Sequence, residues 1–213
     1  MEQRAIYVSA RINKALKLEL IPGHFATRHS HINYYINLTE LKNRHGHAHQ
    51  AALELARQIG PALPIDTIAC LDDTEVVGAF LAAALDQPQQ RSINAGGDIA
   101  IVTPEANTSG QYIFRDNLQH LIENQNILLL VASATTGKTM QQAIDCIHYY
   151  QGRVIGVAAL FTAIPFVNNL PVHTVFDLSD ITDYRSSSPP DCEACKAGQK
   201  IDALINSYGY SKL

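Results

Sequence analysis

Apolar runs alternate with amphipathic segments through the middle of the chain. Four runs predict strands, at 66–71, 98–103, 127–133 and 154–161, and three segments predict helices, at 48–59, 75–85 and 139–150. Runs rich in β-branched residues, without polar alternation, are typical of strands that are buried on both faces. Because helices separate the runs, the pattern predicts crossover units around a parallel sheet, which is an α/β fold.

The two ends of the chain and one middle segment follow other patterns. Residues 5–20 carry apolar and basic residues at helical spacing, so a helix is predicted that ends before Pro22. A strand is predicted at 34–38 and a final helix near 201–207. Turn residues at 107–110, followed by a returning strand, predict a hairpin that protrudes from the sheet.

Composition fits one ordinary globular domain. The chain has 213 residues, of which 46% are hydrophobic and 17% are charged. A chain of this length buries enough surface to be stable without disulfides or a metal. We expect a single domain made of a small N-terminal lobe (1–45), an α/β core (46–182) and a linker with a cysteine-containing tail (183–213).

Charge and cysteine content narrow the class of partner. The formal net charge of −4 gives no general basic face, so duplex nucleic acid is an unexpected partner. No apolar run approaches the roughly 20 residues that a membrane-spanning helix needs.

Four scattered cysteines and the absence of a leader pattern predict a reduced, cytoplasmic protein. The terminal Ser211-Lys212-Leu213 matches a peroxisomal address, which we keep as a minor alternative.

The segment that follows the run at 127–133 carries the clearest chemical signal. Residues Ala134, Thr135, Thr136, Gly137, Lys138 and Thr139 join this strand to the next helix. Small and hydroxylated residues let main-chain N–H groups converge on an anion. The helix N-terminus adds about half a positive charge, and Lys138 adds a full one. This pattern predicts a phosphate-binding loop.

Two families of phosphate loop compete for this segment. The Walker pattern fits Gly137-Lys138-Thr139, but Ala132 stands at its first glycine position, so a nucleotide hydrolase ranks behind the other reading. Residues 129–139 more closely resemble the phosphoribosyltransferase loop, a hydrophobic strand followed by Thr-Thr-Gly-x-Thr. In that family the last part of the loop holds the 5′-phosphate of phosphoribosyl pyrophosphate.

Further segments resemble orotate phosphoribosyltransferase, in the same order along the chain. They are Gly23-His24-Phe25, Arg28 to His31, 34–38, Ile65 to Ile68, Gly78 to Ala82, and the Cys192-x-x-Cys195-Lys196-x-Gly198 tail. The resemblance implies the type I phosphoribosyltransferase fold and a homodimer in which the hairpin reaches the neighbouring subunit. It also implies a role in pyrimidine nucleotide metabolism, with Phe25, Arg28, Tyr34 and Tyr35 on the base side of the ligand.

The chain departs from the family's catalytic pattern in three places. Residues 131–134 lack the acidic pair that holds the ribose hydroxyls. Residues 103–110, the hood that closes over pyrophosphate, contain no Lys, Arg or His, which leaves only Arg115 beyond them. The loop that should present N–H groups to pyrophosphate instead reads Leu71-Asp72-Asp73-Thr74-Glu75, with three carboxylates.

These departures lead to two main hypotheses. In the first, the protein binds a phosphoribosyl ligand or nucleotide with weak or no transfer and acts as a sensor or regulatory subunit. In the second, it is an active phosphoribosyltransferase in which Asp72, Asp73 and Glu75 hold magnesium in place of the missing acidic pair. The carboxylates and Thr74 also fit a simple cap of the following helix.

Metal binding is not expected from the sequence. Cys192 and Cys195 have zinc-ligand spacing, but a structural zinc site needs four ligands and no second C-x-x-C is present. His45 and His49 share a helix face without a third ligand, which is typical of a solvated surface. We therefore expect reduced, metal-free thiols, with magnesium as a cofactor only if the protein is an active transferase.

Overall fold

The computed structural model describes residues 1–87, 92–107, 111–206 and 209–213. They form two compact units. The central unit is Leu41–Val175, and the terminal unit combines Met1–Glu40 with Phe176–Leu213. The terminal unit thus contains residues 1–40 of the predicted N-terminal lobe and all of the predicted tail (183–213), and the central unit contains the rest of the lobe.

The bounds of the elements are as follows. The strands are β1 Ile6–Ser9, β2 Lys17–Ala26, β3 His31–Asn37, β4 Thr67–Cys70, β5 Ala100–Val102, β6 Glu105–Ala106, β7 Tyr112–Ile113, β8 Asn126–Ala134, β9 Arg153–Thr162, β10 Phe166–Val167, β11 Leu170–Asp177, β12 Ser186–Ser187, β13 Ala203–Asn206 and β14 Gly209–Lys212. The helices are α1 Thr39–Asn43, α2 His45–Ile59, α3 Glu75–Leu85, α4 Asp116–Gln119, α5 Lys138–Tyr149 and α6 Glu193–Lys196.

The central unit confirms the predicted α/β fold. Its sheet has the strand order β10-β11-β9-β8-β4-β5, and β5, β4, β8 and β9 are parallel to one another. Residues 127–131 of β8 are at most 1% exposed, because β8 lies between two neighbouring strands in the middle of the sheet. The apolar residues of α5, from Met140 to Ile147, face the core at helical spacing. The predicted strands and helices of this unit are confirmed.

The predicted hairpin is also present. Strands β6 and β7 pair antiparallel, with Glu105 opposite Ile113 and Ala106 opposite Tyr112. The predicted tip residues 108–110 lie outside the described residues.

Two predicted helices of the terminal unit are wrong. Residues 5–20 form β1 and part of β2, which pair antiparallel with Ile6 opposite Leu20. The final segment forms β13 and β14 rather than a helix, and β13 also pairs with β2 through Ala203 and Phe25. In β2, Leu18 and Leu20 are buried on alternate positions, so pairing across the sheet decides the conformation.

The described helices include none that combines the length and the apolar character needed to cross a membrane.

Candidate functional site

Two loops of the central unit follow neighbouring parallel strands at the carboxyl edge of the sheet. Cys70, the last residue of β4, is in register with Leu130 of β8. Strand β8 continues for four more residues to Ala134, which is about 13 Å of extended chain. The carboxyl edge of a parallel sheet is where such folds bind ligands. The acidic loop (71–75) follows β4 at this edge, and the phosphate loop (134–139) follows β8.

The phosphate loop makes a tight turn from β8 into α5. Gly137 is the N-cap residue of α5 and has a left-handed backbone, with φ 76° and ψ −6°. A side chain at this position would also meet a neighbour, because an added Cβ would lie 2.9 Å from Ile164 Cδ1. The main-chain N–H of Gln141 donates to the Gly137 carbonyl and closes the first helical turn. The left-handed backbone therefore favours glycine at this turn, and a larger side chain would also have to displace the Ile164 methyl group.

Donors of the phosphate loop are available to a ligand. The first N–H groups of any helix lack helical acceptors, and no side chain caps the start of α5. In the described part of the chain, Thr135, Thr136, Lys138 and Thr139 take part in no side-chain hydrogen bond or ion pair. Thr136 and Lys138 are exposed. Three hydroxyls, one ammonium group and a helix N-terminus together form an arrangement suited to a phosphate.

The strand before this loop argues against the Walker interpretation. Ala132 is buried inside β8, between Val131 and Ser133, which pair with Ala159 and Phe161 of β9. The first glycine of a Walker loop must instead lie where the chain has left the strand. The same residues provide no carboxylate, and among 131–134 only Ser133 is exposed.

The acidic loop has an unusual backbone. Asp72 and Asp73 both have positive φ, at 57° and 59°. A left-handed backbone costs a residue with a Cβ roughly 1–2 kcal/mol, although Asp tolerates it better than most. The Lys42 ammonium group, on a residue only 7% exposed, donates to the Asp72 carbonyl at 2.8 Å and lies 3.6 Å from Asp73 Oδ2. Lys42 therefore fixes this backbone and partly neutralises the loop.

The other residues of the acidic loop also have partners in the chain. Thr74 is fully buried, and its hydroxyl donates to the Leu71 carbonyl at 2.8 Å instead of capping α3. Glu75 accepts a hydrogen bond from the Thr103 hydroxyl at 2.7 Å. Just before the loop, burial raises the pKa of the Cys70 thiol to about 12, so this thiol stays neutral. The loop is held by internal contacts, unlike the phosphate loop.

The predicted hood cation is already paired. The Arg115 guanidinium donates to the Glu105 carboxylate across the base of the β6–β7 hairpin, and both side chains are exposed. The hydrogen bond from Arg115 lowers the pKa of Glu105. Neutralising a departing pyrophosphate would require Arg115 to leave this partner.

The residues predicted to contact a base lie in the terminal unit. Phe25 is fully buried and Tyr35 is 6% exposed, with their ring centroids 6.3 Å apart, and Tyr35 also packs on Tyr210 at 5.0 Å. Phe25 and Tyr35 are therefore core residues in this structure, and their rings do not offer a face to a base. Arg28 is exposed and Tyr34 is partly exposed, so these two side chains remain accessible.

Two features of the structure were not predicted from the sequence. One is the buried Lys42, whose position in a polar segment gave no sign of burial. The other is the cluster of His24 and His31 with Cys192 and Cys195, whose ligand atoms lie within 4.8 Å of one another. The separation of 161 or more residues between the two pairs hides this cluster from any local pattern.

Comparisons with known proteins address the fold. No protein-family model matches the chain, and no curated protein matches it in sequence. Among solved structures, it is similar to Mycobacterium tuberculosis orotate phosphoribosyltransferase in complex with Fe(III) dicitrate, with a TM-score of 0.52 and 18% identity over 78% of this chain and 93% of that one. It is also similar to Leishmania donovani UMP synthase, with a TM-score of 0.50 and 14% identity over 69% of this chain and 30% of that one. The chain therefore has the fold of the type I phosphoribosyltransferases.

Proposed function

We propose that the protein binds the phosphate of a phosphoribosyl ligand or nucleotide through Ala134–Thr139. The observation that carries this proposal is the position, shape and unpaired donor groups of the phosphate loop. It lies at the carboxyl edge of the sheet, it is shaped by the left-handed Gly137, and its hydroxyl and ammonium groups have no partner within the described residues. A helix N-terminus with converging donors favours an anion. The fold shared with phosphoribosyltransferases supports a phosphoribosyl body for that anion.

We further propose that transfer from phosphoribosyl pyrophosphate is weak or absent, so that the protein acts as a sensor or regulatory subunit. Residues 131–134 carry no carboxylate to support a cationic ribosyl centre. The acidic loop adds negative charge at the same edge of the sheet. At an effective dielectric constant of 20, two unit charges 4 Å apart interact by about 4 kcal/mol, which opposes pyrophosphate. Loss of a single strong transition-state contact typically slows a reaction about 10²- to 10³-fold.

One observation favours the second hypothesis, an active transferase. Consecutive left-handed residues that carry carboxylates, Asp72 and Asp73, form a costly backbone, and such strain is often found at functional sites. With Glu75, these oxygens are suited to Mg²⁺, which prefers carboxylate ligands together with substrate phosphates. Bound magnesium would bridge the pyrophosphate oxygens and neutralise their charge. The ion pair with Lys42 and the hydrogen bond from Thr103 weigh against this role.

A transfer assay distinguishes the two hypotheses. Purified protein is mixed with labelled phosphoribosyl pyrophosphate, magnesium and a panel of pyrimidine and purine bases, and bound ligand and released pyrophosphate are both measured. We expect binding without pyrophosphate release. Steady release that disappears in the Asp72→Asn, Asp73→Asn double variant would instead establish the active transferase. Failure to bind phosphoribosyl pyrophosphate or any mononucleotide would reject both hypotheses.

The remaining expectations are proposals of the same kind. We propose a cytoplasmic homodimer with a role in pyrimidine nucleotide metabolism, on the strength of the resemblance to orotate phosphoribosyltransferase. Magnesium would be a cofactor only of an active transferase. A nucleotide hydrolase is disfavoured, because Ala132 lies inside β8.

A further inference from the structure

Four side chains of the terminal unit converge on one point. His24 Nε2 lies 3.5 Å from Cys192 Sγ and 3.6 Å from Cys195 Sγ. His31 Nδ1 lies 3.1 Å from His24 Nε2 and 3.3 Å from Cys195 Sγ. All four ligand atoms are within 4.8 Å of one another. This cluster plays no part in the proposed phosphate site, which belongs to the central unit.

The spacing is that of a tetrahedral metal site. Zinc binds histidine nitrogen at about 2.0–2.1 Å and cysteine sulfur at about 2.3 Å. In a regular tetrahedron these bond lengths separate neighbouring ligand atoms by about 3.3–3.8 Å. Four of the six distances run from 3.1 to 3.6 Å, and three of these lie within the range. The other two are at most 4.8 Å, so closure around an ion would need movements of about 1 Å.

The hairpin geometry brings the two histidines together. In the β2–β3 pair, His31 is opposite Ala26, and the register shifts between Pro22 and Phe25, in the stretch that holds His24. This irregularity interrupts the alternation of side chains, and His24 Nε2 lies 3.1 Å from His31 Nδ1. The turn between the strands is closed by Thr27, whose N–H and hydroxyl both donate to the Ser30 carbonyl. The hairpin thus presents two ring nitrogens as a rigid pair.

The tail supplies the two sulfurs in the arrangement typical of zinc-binding turns. Cys192 is the N-cap residue of α6 and Cys195 lies within this helix. The Lys196 main-chain N–H donates to the Cys192 carbonyl at 3.1 Å, which closes the turn that carries both cysteines. Cys192 is 5% exposed, whereas Cys195 is exposed, so an ion could enter from the Cys195 side.

The Gln199 carbonyl orients the His24 ring. It lies 3.0 Å from Nδ1 and can only accept, so a neutral ring carries its proton on Nδ1 and turns the Nε2 lone pair to the cluster. Metal-bound histidines usually have such a carbonyl or carboxylate partner on the other nitrogen. The left-handed Gly198 turns the chain after α6 and places Gln199 in this position.

The main chain of His24 is also held from both sides. Its N–H donates to Asp202 Oδ2 at 2.9 Å, and its carbonyl accepts from the Asp202 N–H at 2.7 Å. Arg4 donates to the other oxygen of this carboxylate at 2.8 Å. Asp202 Oδ2 approaches so closely that a Cβ on Gly23 would lie 2.5 Å from it. This second layer of contacts orients His24 in the absence of any metal.

We propose that His24, His31, Cys192 and Cys195 form a structural zinc site that ties the N-terminal hairpin to the C-terminal tail. Mixed nitrogen and sulfur ligands select a borderline-soft ion such as Zn²⁺ over Mg²⁺ or Ca²⁺. Binding displaces the protons of two thiols, so the Cys₂His₂ complex is neutral, which suits a partly buried site. Four protein ligands leave no open position, and this is characteristic of a structural rather than a catalytic zinc site.

The test measures metal in the full-length protein. Wild-type protein is purified with a reductant from zinc-supplemented medium, and its zinc content is determined by mass spectrometry of the metal. The zinc is then removed, the metal-free protein is reloaded with Co²⁺, and its visible spectrum is recorded. We expect one zinc per chain, and after exchange the d–d bands of tetrahedral Co²⁺ with a thiolate charge-transfer band.

Matched variants assign the ion to its ligands. Cys195→Ser and His31→Gln should lose the zinc and the cobalt spectrum, whereas Cys146→Ser and His148→Ala, which alter a cysteine and a histidine of α5, should retain both. Cys195 is exposed, so its substitution leaves the core packing intact. The inference is overturned if wild-type protein keeps neither zinc nor cobalt, or if the α5 variants lose metal as fully as the ligand variants. Phosphate binding is measured separately and does not enter this decision.

Discussion

The two loops at the carboxyl edge of the central sheet differ in how far their polar groups are already used. In the acidic loop, Lys42 and Thr103 bind loop groups, and Thr74 bonds to the main chain. In the phosphate loop, the hydroxyls of 135–139 and the Lys138 ammonium group have no such partner among the described residues. A group that is bound within the chain must lose that bond before it can bind a ligand. The comparison therefore supports the proposal that the phosphate loop binds the ligand, whereas much of the acidic loop has an internal structural role.

The largest effect is expected for Gly137→Val. A side chain here must adopt a left-handed backbone and would meet Ile164, so the turn that aligns the N–H groups is lost. Binding of phosphoribosyl pyrophosphate, measured by calorimetry, should be abolished, with a loss of stability of about 1–3 kcal/mol. Gly96→Val is the matched control, because Gly96 also has positive φ, 75°, with no atom within 4 Å of an added Cβ. If Gly137→Val binds as well as wild type, the assignment of the phosphate loop is wrong.

Lys42→Met should have the next largest effect, and on stability rather than on phosphate affinity. It removes the donor to the Asp72 carbonyl and the partner of Asp73, and leaves polar groups without compensation, at a cost of about 1–3 kcal/mol. Urea denaturation measures this loss. Phosphate affinity within about twofold of wild type would support separate roles for the two loops, whereas a loss matching that of Gly137→Val would contradict them.

The Asp72→Asn, Asp73→Asn double variant tests whether the negative charge of the acidic loop opposes pyrophosphate binding. Asn tolerates positive φ as well as Asp does, so the backbone is preserved while two negative charges are removed. Affinity for pyrophosphate in the absence of magnesium should rise several-fold, because two repelling charges are removed. The gain in binding free energy should be only about 1 kcal/mol, since exposed charges interact weakly across water. A fall in affinity that appears only with magnesium would favour the active-transferase hypothesis instead.

Lys138→Ala should have the smallest effect. Lys138 is exposed and adds charge without fixing geometry, whereas the main-chain donors of the loop remain. Affinity for a mononucleotide should fall by about threefold to tenfold, and the difference should shrink with added salt. A complete loss would show that the side chain, rather than the main chain, binds the phosphate.

Sequence patterns were sufficient to predict the strands and helices of the central unit, because each element shows its apolar pattern within a short segment of the chain. Strands such as β8 are buried on both faces, so they appear as continuous apolar runs, and α5 shows a helical stripe. The bounds of α3, Glu75–Leu85, agree with the predicted helix at both ends. The turn from β8 into α5 was predicted for the same reason, since strand, turn and helix are contiguous, and phosphate binding at this turn stays a prediction.

The terminal unit could not be predicted in this way. Residues 17–20 of β2 pair with β1 and β3, and these pairings override the helical spacing of residues 5–20. Strand β13 joins β2 at Phe25, about 180 residues away along the chain. A local signal was nevertheless present, because Lys17 to Leu20 alternates between charged residues and leucine. Phe25 and Tyr35 were assigned to a ligand because aromatic rings suit both a core and a base, and only burial separates the two roles.

A crystal structure with a bound mononucleotide such as UMP would locate the phosphate itself. We expect the phosphate within hydrogen-bond distance of the main-chain N–H groups of 135–139, with Asp72 and Asp73 retaining their contacts to Lys42. A saturated crystal with the phosphate bound elsewhere, or with this loop filled by the protein's own side chains, would contradict it.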